Sequence, residues 1–181
     1  MLIHRLWGHL ATVMRHKALV GGMCFRVGLI RQGITHDLSK FSPTEFIPSV
    51  RYYQEGKKSP VGAERRGRGY SGCWMHHKGR NRHHFEYWLD YAPDSPLRLV
   101  GYKIPPKFFA EMIIDRIAAP MVYLGEDYTD GAPLDYFLDR TDRDLIHPET
   151  ADMMEKMFVL LKREGKESLF AALREIIKNG Y

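Results

Sequence analysis

Cysteine is scarce: Cys24 and Cys73 are the only two in 181 residues, and they form no CxxC pair. That excludes a disulfide framework and a cysteine-built zinc knuckle, and two reduced, packed thiols are expected. No apolar run approaches the ~20 residues that a membrane-spanning helix needs. His4, Arg5, His9, Arg15 and His16 interrupt any apolar stretch near the start, so no secretory leader is read there and a cytoplasmic protein is expected. Internal repeats, low-complexity tracts and Ser/Gly linkers are missing. So are a P-loop, a dinucleotide fingerprint and any serine or cysteine nucleophile motif.

What is present is an ordinary globular composition, 44% hydrophobic and 27% charged, in a chain long enough to bury a core unaided. One domain over 1–181 is expected, with its core at about 9–125 and further C-terminal helices at 131–180. The net charge of +5 favours anionic ligands: nucleotides, phosphorylated small molecules, or nucleic acid. Nine histidines are present, and six of them (His16, His36, His76, His77, His83, His84) fall within residues 16–84. Histidine is the commonest metal-ligating side chain.

Apolar spacing predicts helices over 2–20, 29–40, 42–54, 73–79, 107–124, 132–140, 148–164 and 167–178. Gly21-Gly22 weakens the first, although Met23 to Leu29 can continue it. Ser42, Pro43 and Glu45 read as an N-cap, a first-turn proline and a capping box. Gly56 to Gly72, rich in Lys, Arg and Gly, reads as a loop or a frayed helix start, with Arg65, Arg66 and Arg68 in it. Asn81 is expected to cap a helix from about Arg82 that carries His83-His84. Residues 92–106 hold four prolines and read as a loop with a short strand pair near 97–104, and Pro120 is expected to kink its helix. The fold class is all-α.

The element that carries chemistry is Thr35-His36-Asp37-Leu38-Ser39-Lys40. Adjacent His and Asp diverge on a helix, so they can meet one ion only if the backbone turns there, or if each reaches a neighbouring position of a shared site. Asp115 lies deep in an apolar helix, where a carboxylate needs a charge partner or a metal. Imidazole and carboxylate donors suit Mn, Fe, Co, Ni or Zn. The order His16, His36-Asp37, Asp115, together with Lys40, resembles the signature of the HD-domain metal-dependent phosphohydrolase superfamily. The stretches HDLSKFSPTEF, HHKGRNRHHFEYW and EMIIDRIAA are similar to a family of uncharacterised bacterial and phage proteins related to it, over roughly 9–165.

That resemblance implies an HD-like helical bundle with His16, His36, Asp37 and Asp115 as metal ligands. In two-metal members the aspartate equivalent to Asp37 bridges the ions, and two more histidines complete the second position. The candidates are His76 or His77 and His83 or His84, with His77 and His83 favoured, at a closer spacing than is usual in the superfamily. The implied activity is hydrolysis of a nucleotide or other small phosphoester by a metal-activated hydroxide, with Asp37 and Lys40 catalytic. Lys40, Lys78, Arg80, His76 and His84 are expected to contact substrate, and Arg82 lies among them. Two other readings stand beside this one. One is an HD-type di-iron oxygenase. The other is a non-catalytic metal-containing module that binds nucleotide or nucleic acid, using aromatics such as Tyr70, Trp74 and Tyr91 for stacking.

Overall fold

The computed structural model describes residues 2–140 and 143–181; Met1, Thr141 and Asp142 of the expected 1–181 span lie outside them. The fold is mostly α-helical. In order come α1 (Leu2–Arg26), α2 (Ile30–Thr35), a 3-10 turn (Leu38–Phe41), α3 (Pro43–Arg51), α4 (Pro60–Arg68) and α5 (Gly72–Lys78). A 3-10 turn (Phe85–Trp88) leads into the antiparallel pair β1 (Leu89–Ala92) and β2 (Ser95–Gly101). Then follow α6 (Pro106–Leu124), α7 (Ala132–Arg140) and α8 (Pro148–Asn179). Among the described residues no helix is long and apolar enough to cross a membrane.

The centre is α6, whose Phe109, Ala110, Met112, Ile113, Ile114, Ile117 and Ala118 are all buried. A helix apolar around most of its circumference is one that other elements enclose. Here α1 and α8 pack on it, adding Val20, Cys24, Met154, Phe158 and Leu161 to one buried cluster. Gly165 interrupts α8 with φ 80°, a left-handed value that glycine adopts without a steric cost. The chain turns there, so that Leu169, Phe170 and Leu173 reach the same core. The break falls between the two helices that periodicity predicts over 148–164 and 167–178.

Several local expectations are corrected. Gly21-Gly22 does not end the first helix, which runs on to Arg26 because Val20, Met23 and Cys24 stay buried along one side. α6 continues through Pro120 to Leu124. No helix starts at Arg82; His83 and His84 lie in the turn between α5 and the 3-10 segment. Asn81, instead of capping a helix, donates from Nδ2 to Ser39 Oγ and to the His77 carbonyl, each at 2.8 Å. The strand pair begins eight residues before the expected 97–104, at Leu89.

The basic stretch 56–72 is partly α4, with Arg65, Arg66 and Arg68 on its exposed side. Glu64 explains why it is ordered. Its carboxylate is 1% exposed and accepts Ser71 Oγ at 2.6 Å and the Cys73 backbone N–H at 3.4 Å. The acid on α4 thus satisfies groups that open α5. Burial pushes the Glu64 carboxyl up, but the hydrogen bonds from Ser71 and Cys73 outweigh it and hold it below the ordinary value. A depressed folded pKa stabilises above the ordinary glutamate range, and the gain is lost as pH falls through the folded value. Glu64→Ala should therefore lower the unfolding free energy by about 1–3 kcal/mol at neutral pH. In urea melts that difference should shrink below pH 4.5, the ordinary carboxyl value; a pH-independent difference would assign the loss to packing.

Candidate metal centre

The site begins at a backbone conformation. Asp37 follows α2 with φ 55° and ψ 25°, in the left-handed region that aspartate tolerates better than most residues. This supplies the turn that the His-Asp pair requires. His36 Nε2 comes to 3.3 Å from Asp37 Oδ2, and both residues are almost wholly buried, at 1% and 2% exposure.

Two long helices bring the remaining groups. His16 of α1 places Nε2 2.9 Å from Asp115 Oδ1 of α6, 3.3 Å from His36 Nε2 and 3.6 Å from Asp37 Oδ2. His36 Nε2 lies 3.5 Å from Asp115 Oδ1. On the other side of Asp37, Oδ1 is 3.3 Å from His77 Nε2 and 3.4 Å from His83 Nε2, and His77 Nε2 is 2.9 Å from His84 Nε2. Donors bonded at ~2.1 Å to one ion stand about 3.0 Å apart on an octahedral edge and about 3.4 Å on a tetrahedral one. The observed spacings match those edges. Either cluster, His16/His36/Asp37/Asp115 or Asp37/His77/His83/His84, could hold a metal ion.

Three tests favour a cation over a hydrogen-bonded knot. Neither Asp37 oxygen, nor His83 Nε2, has a hydrogen-bond partner although all three are buried, with Lys40 Nζ 2.6 Å from Oδ2 as a charge neighbour. Unpaired buried polar atoms are costly and therefore few. The outer nitrogens are also already engaged. His36 Nδ1 lies 2.9 Å and His83 Nδ1 3.2 Å from Glu111 Oε1, and His77 Nδ1 lies 2.7 Å from Glu45 Oε2. A ring that donates Nδ1–H to a carboxylate presents a bare Nε2 lone pair inward, the arrangement that orients metal-bound histidine. Finally, Nε2 of His36 lies 3.5 Å from Asp115 Oδ1, and Nε2 of His77 and His83 lie 3.3 and 3.4 Å from Asp37 Oδ1; bare lone pairs so placed repel unless a cation lies between them.

The electrostatics follow from crowding. Burial pushes Asp37 up, but its neighbours His36, Lys40 and His77 together hold its carboxyl well below the usual range. Asp115 is likewise held well down against burial, by the His16 imidazole 2.9 Å away and by the neighbouring His36. Burial and the Lys40 ammonium lower His16; burial and the neighbouring His83 and His77 lower His84. For His36, burial is outweighed by the Asp37 charge and the carboxylate hydrogen bonds, which raise it. Lys40 is raised by Asp37 and Asp115 in spite of its burial, and so stays charged.

Residues 5–160 match the Family of unknown function (DUF5662). The chain belongs to that family. No curated protein and no solved structure matches the chain. The matched span covers every residue of both clusters.

Among the residues singled out from sequence, His76 does not enter either cluster; its Nδ1 lies 2.6 Å from Glu45 Oε1. His84, expected against substrate, stands instead among the donors around Asp37 Oδ1. Lys78 is half-buried, whereas Arg80 is exposed and donates to the His76 carbonyl. The substantive omissions are Glu111 and Glu45. Glu111 precedes Asp115 by four residues and so shares its helix face, a signal that was available in the apolar stretch. Glu45 was disguised by the capping-box pattern, but Ser42 makes no side-chain cap bond and Glu45 turns inward to His76 and His77.

Glu111 is a positioning residue that joins His36 to His83, one from each cluster. Glu111→Ala should weaken binding of Mn or Co by about 10–100-fold. Isothermal titration calorimetry of the metal-stripped protein reads this directly, and an unchanged affinity would show that the two histidines need no such support.

Proposed function

We propose that this chain is a metal-dependent phosphohydrolase of HD-domain type that acts on a nucleotide or other small phosphoester. The observation that carries the reading is the split role of Asp37. Its Oδ2 faces His16, His36 and Asp115, while its Oδ1 faces His77, His83 and His84, so that one carboxylate would bridge two ions. The donor set suits Mn, Fe, Co, Ni or Zn. When bound, such ions supply Lewis acidity and a water acidified toward neutral pH.

The chain's own residues supply the rest. Asp115 and Lys40 are the more open edge of the first cluster, with side chains 14% and 30% exposed against 9% or less for His16, His36 and Asp37. Substrate would approach over that edge. The Lys40 ammonium, held charged beside Asp37, neutralises phosphoryl oxygen there as negative charge builds up. Glu111 and Glu45 fix the tautomers of His36, His83 and His77, so the donor atoms do not have to reorganise. The net charge of +5 draws anionic substrate toward the site, with Lys78, Arg80 and Arg82 beside the histidine segment.

Elemental analysis of protein loaded with Mn, Co, Ni or Zn should give two ions per chain, and fewer for Asp115→Ala. The loaded protein should release phosphate from a nucleotide panel, and Lys40→Ala should cut turnover about 100-fold without changing metal content. Full metal loading with no turnover of any phosphoester would sink the reaction. Oxygen consumption by the iron-loaded form in place of hydrolysis would transfer the site to the oxygenase reading.

A further inference from the structure

Helix α1 has two apolar faces, and only one of them meets the core. The inner face carries His9, Val13, His16 and Val20. At 100° per residue, Ile3, Trp7, Leu10, Met14, Ala18, Gly21 and Phe25 fall in a separate arc of roughly 80°. Along that arc Ile3 is 73%, Trp7 62%, Met14 51% and Phe25 48% exposed. Where α2 meets this face, a groove of about 350 Å³ opens among Met14, Lys17, Ala18, Gly22, Phe25 and Ile34.

The internal packing does not account for Gly22. A side chain added there would meet nothing within 4 Å. Its conformation is helical, so glycine costs about 1 kcal/mol relative to alanine and no contact within the chain offsets that. A close-approaching backbone from outside would.

We infer that α1 pairs with α1 of a second copy of this chain, antiparallel, about a two-fold axis at Met14. An axis there sets Ile3 against Phe25, Leu6 against Gly22, Trp7 against Gly21 and Leu10 against Ala18 of the second copy. In three of these four pairs a large side chain meets a small residue, and the groove, with the buried Gly21 in its lining, receives Leu6 and Trp7. A two-fold interface must be self-complementary in this way.

Area and charge point to the same occupant. Ile3, Leu6, Trp7, Met14, Phe25, Ile30 and Ile34 are all exposed. At roughly 100 Å² each they present about 700 Å², close to the ~800 Å² per partner of a standard interface and above the usual monomer patch. No charged side chain lies within the arc. Three nearby cations are engaged inside the chain: Arg26 pairs with Glu167, Lys17 donates to the Ile34 and His36 carbonyls, and Arg5 donates to the Arg51 carbonyl, while Arg15 and Arg31 are exposed. Arg15 would lie opposite position 13, a valine, so no like charges meet.

Sedimentation equilibrium of the full chain should find a particle of twice the 21.1 kDa chain mass. Met14→Glu sets two carboxylates together on the axis and should raise the dissociation constant at least ~100-fold, with the circular dichroism spectrum and melting of the monomer preserved. To read direction, Ile3→Cys and Phe25→Cys proteins are mixed and mildly oxidised. Disulfides should join the two variants to each other, and neither variant to itself. A monomer at every concentration up to millimolar, with or without vesicle binding, overturns the inference. So does a dimer indifferent to Met14→Glu, or self-crosslinking of either single variant.

Discussion

Everything around this site depends on the burial of one carboxylate. Asp37 is 2% exposed, and an isolated carboxylate taken out of water would lose several kcal/mol of hydration. Something positive must stand on both of its oxygens. Lys40 answers part of that need at Oδ2, while at Oδ1 the nearest groups are imidazole nitrogens of His77 and His83. The left-handed backbone at Asp37 adds a cost of order 1 kcal/mol. Such strain persists only where the surroundings over-determine it, and here α1, α5 and α6 all converge on the same side chain.

The support is symmetrical about that carboxylate. Glu111, from the most buried helix, ties the Nδ1 atoms of His36 and His83; Glu45, from α3, ties those of His76 and His77. Each glutamate is itself held in its charged form by the hydrogen bonds it receives, against the effect of burial. Fold and site are thus the same structure at this point. α6 is held by Ile113, Ile114 and Ile117 on its apolar sides, and the face it leaves free carries Glu111 and Asp115. The cage therefore inherits the rigidity of the core.

Part of this is legible in the sequence because it is local or periodic. The apolar spacing that marks α1, α6, α7 and the two halves of α8 needs no knowledge of partners. The oddity of Asp115 in an apolar helix, and of nine histidines with six within residues 16–84, can be read in the same way. What stays hidden is non-local. The left-handed turn at Asp37 has no glycine to announce it. α4 looks like a basic loop until the buried bond from Glu64 to Ser71 is seen. Ser42-x-x-Glu45 fits a capping box in one dimension, and three-dimensional competition from two histidines draws Glu45 away. His84 differs from His76 only in where a turn, not a helix, points it.

Charge balance is the last constraint on what the cage contains. Asp37, Asp115, Glu45 and Glu111 are four carboxylates in one small volume, all held toward ionisation, and Lys40 is the one ammonium in contact with Asp37. Left so, the carboxylates outnumber the cations that touch them, an imbalance that is costly in a protein interior. A proton on His36, which its carboxylate neighbours favour, compensates part of this, but burial pushes His16 and His84 toward the neutral form. Neutral imidazoles with bare inward lone pairs cannot balance carboxylates; they can only join them in holding a cation. Two divalent ions would turn the deficit into a small positive excess, facing solvent at Asp115 and Lys40. A centre of that sign would favour an anion, the charge that the proposed phosphoester substrate carries.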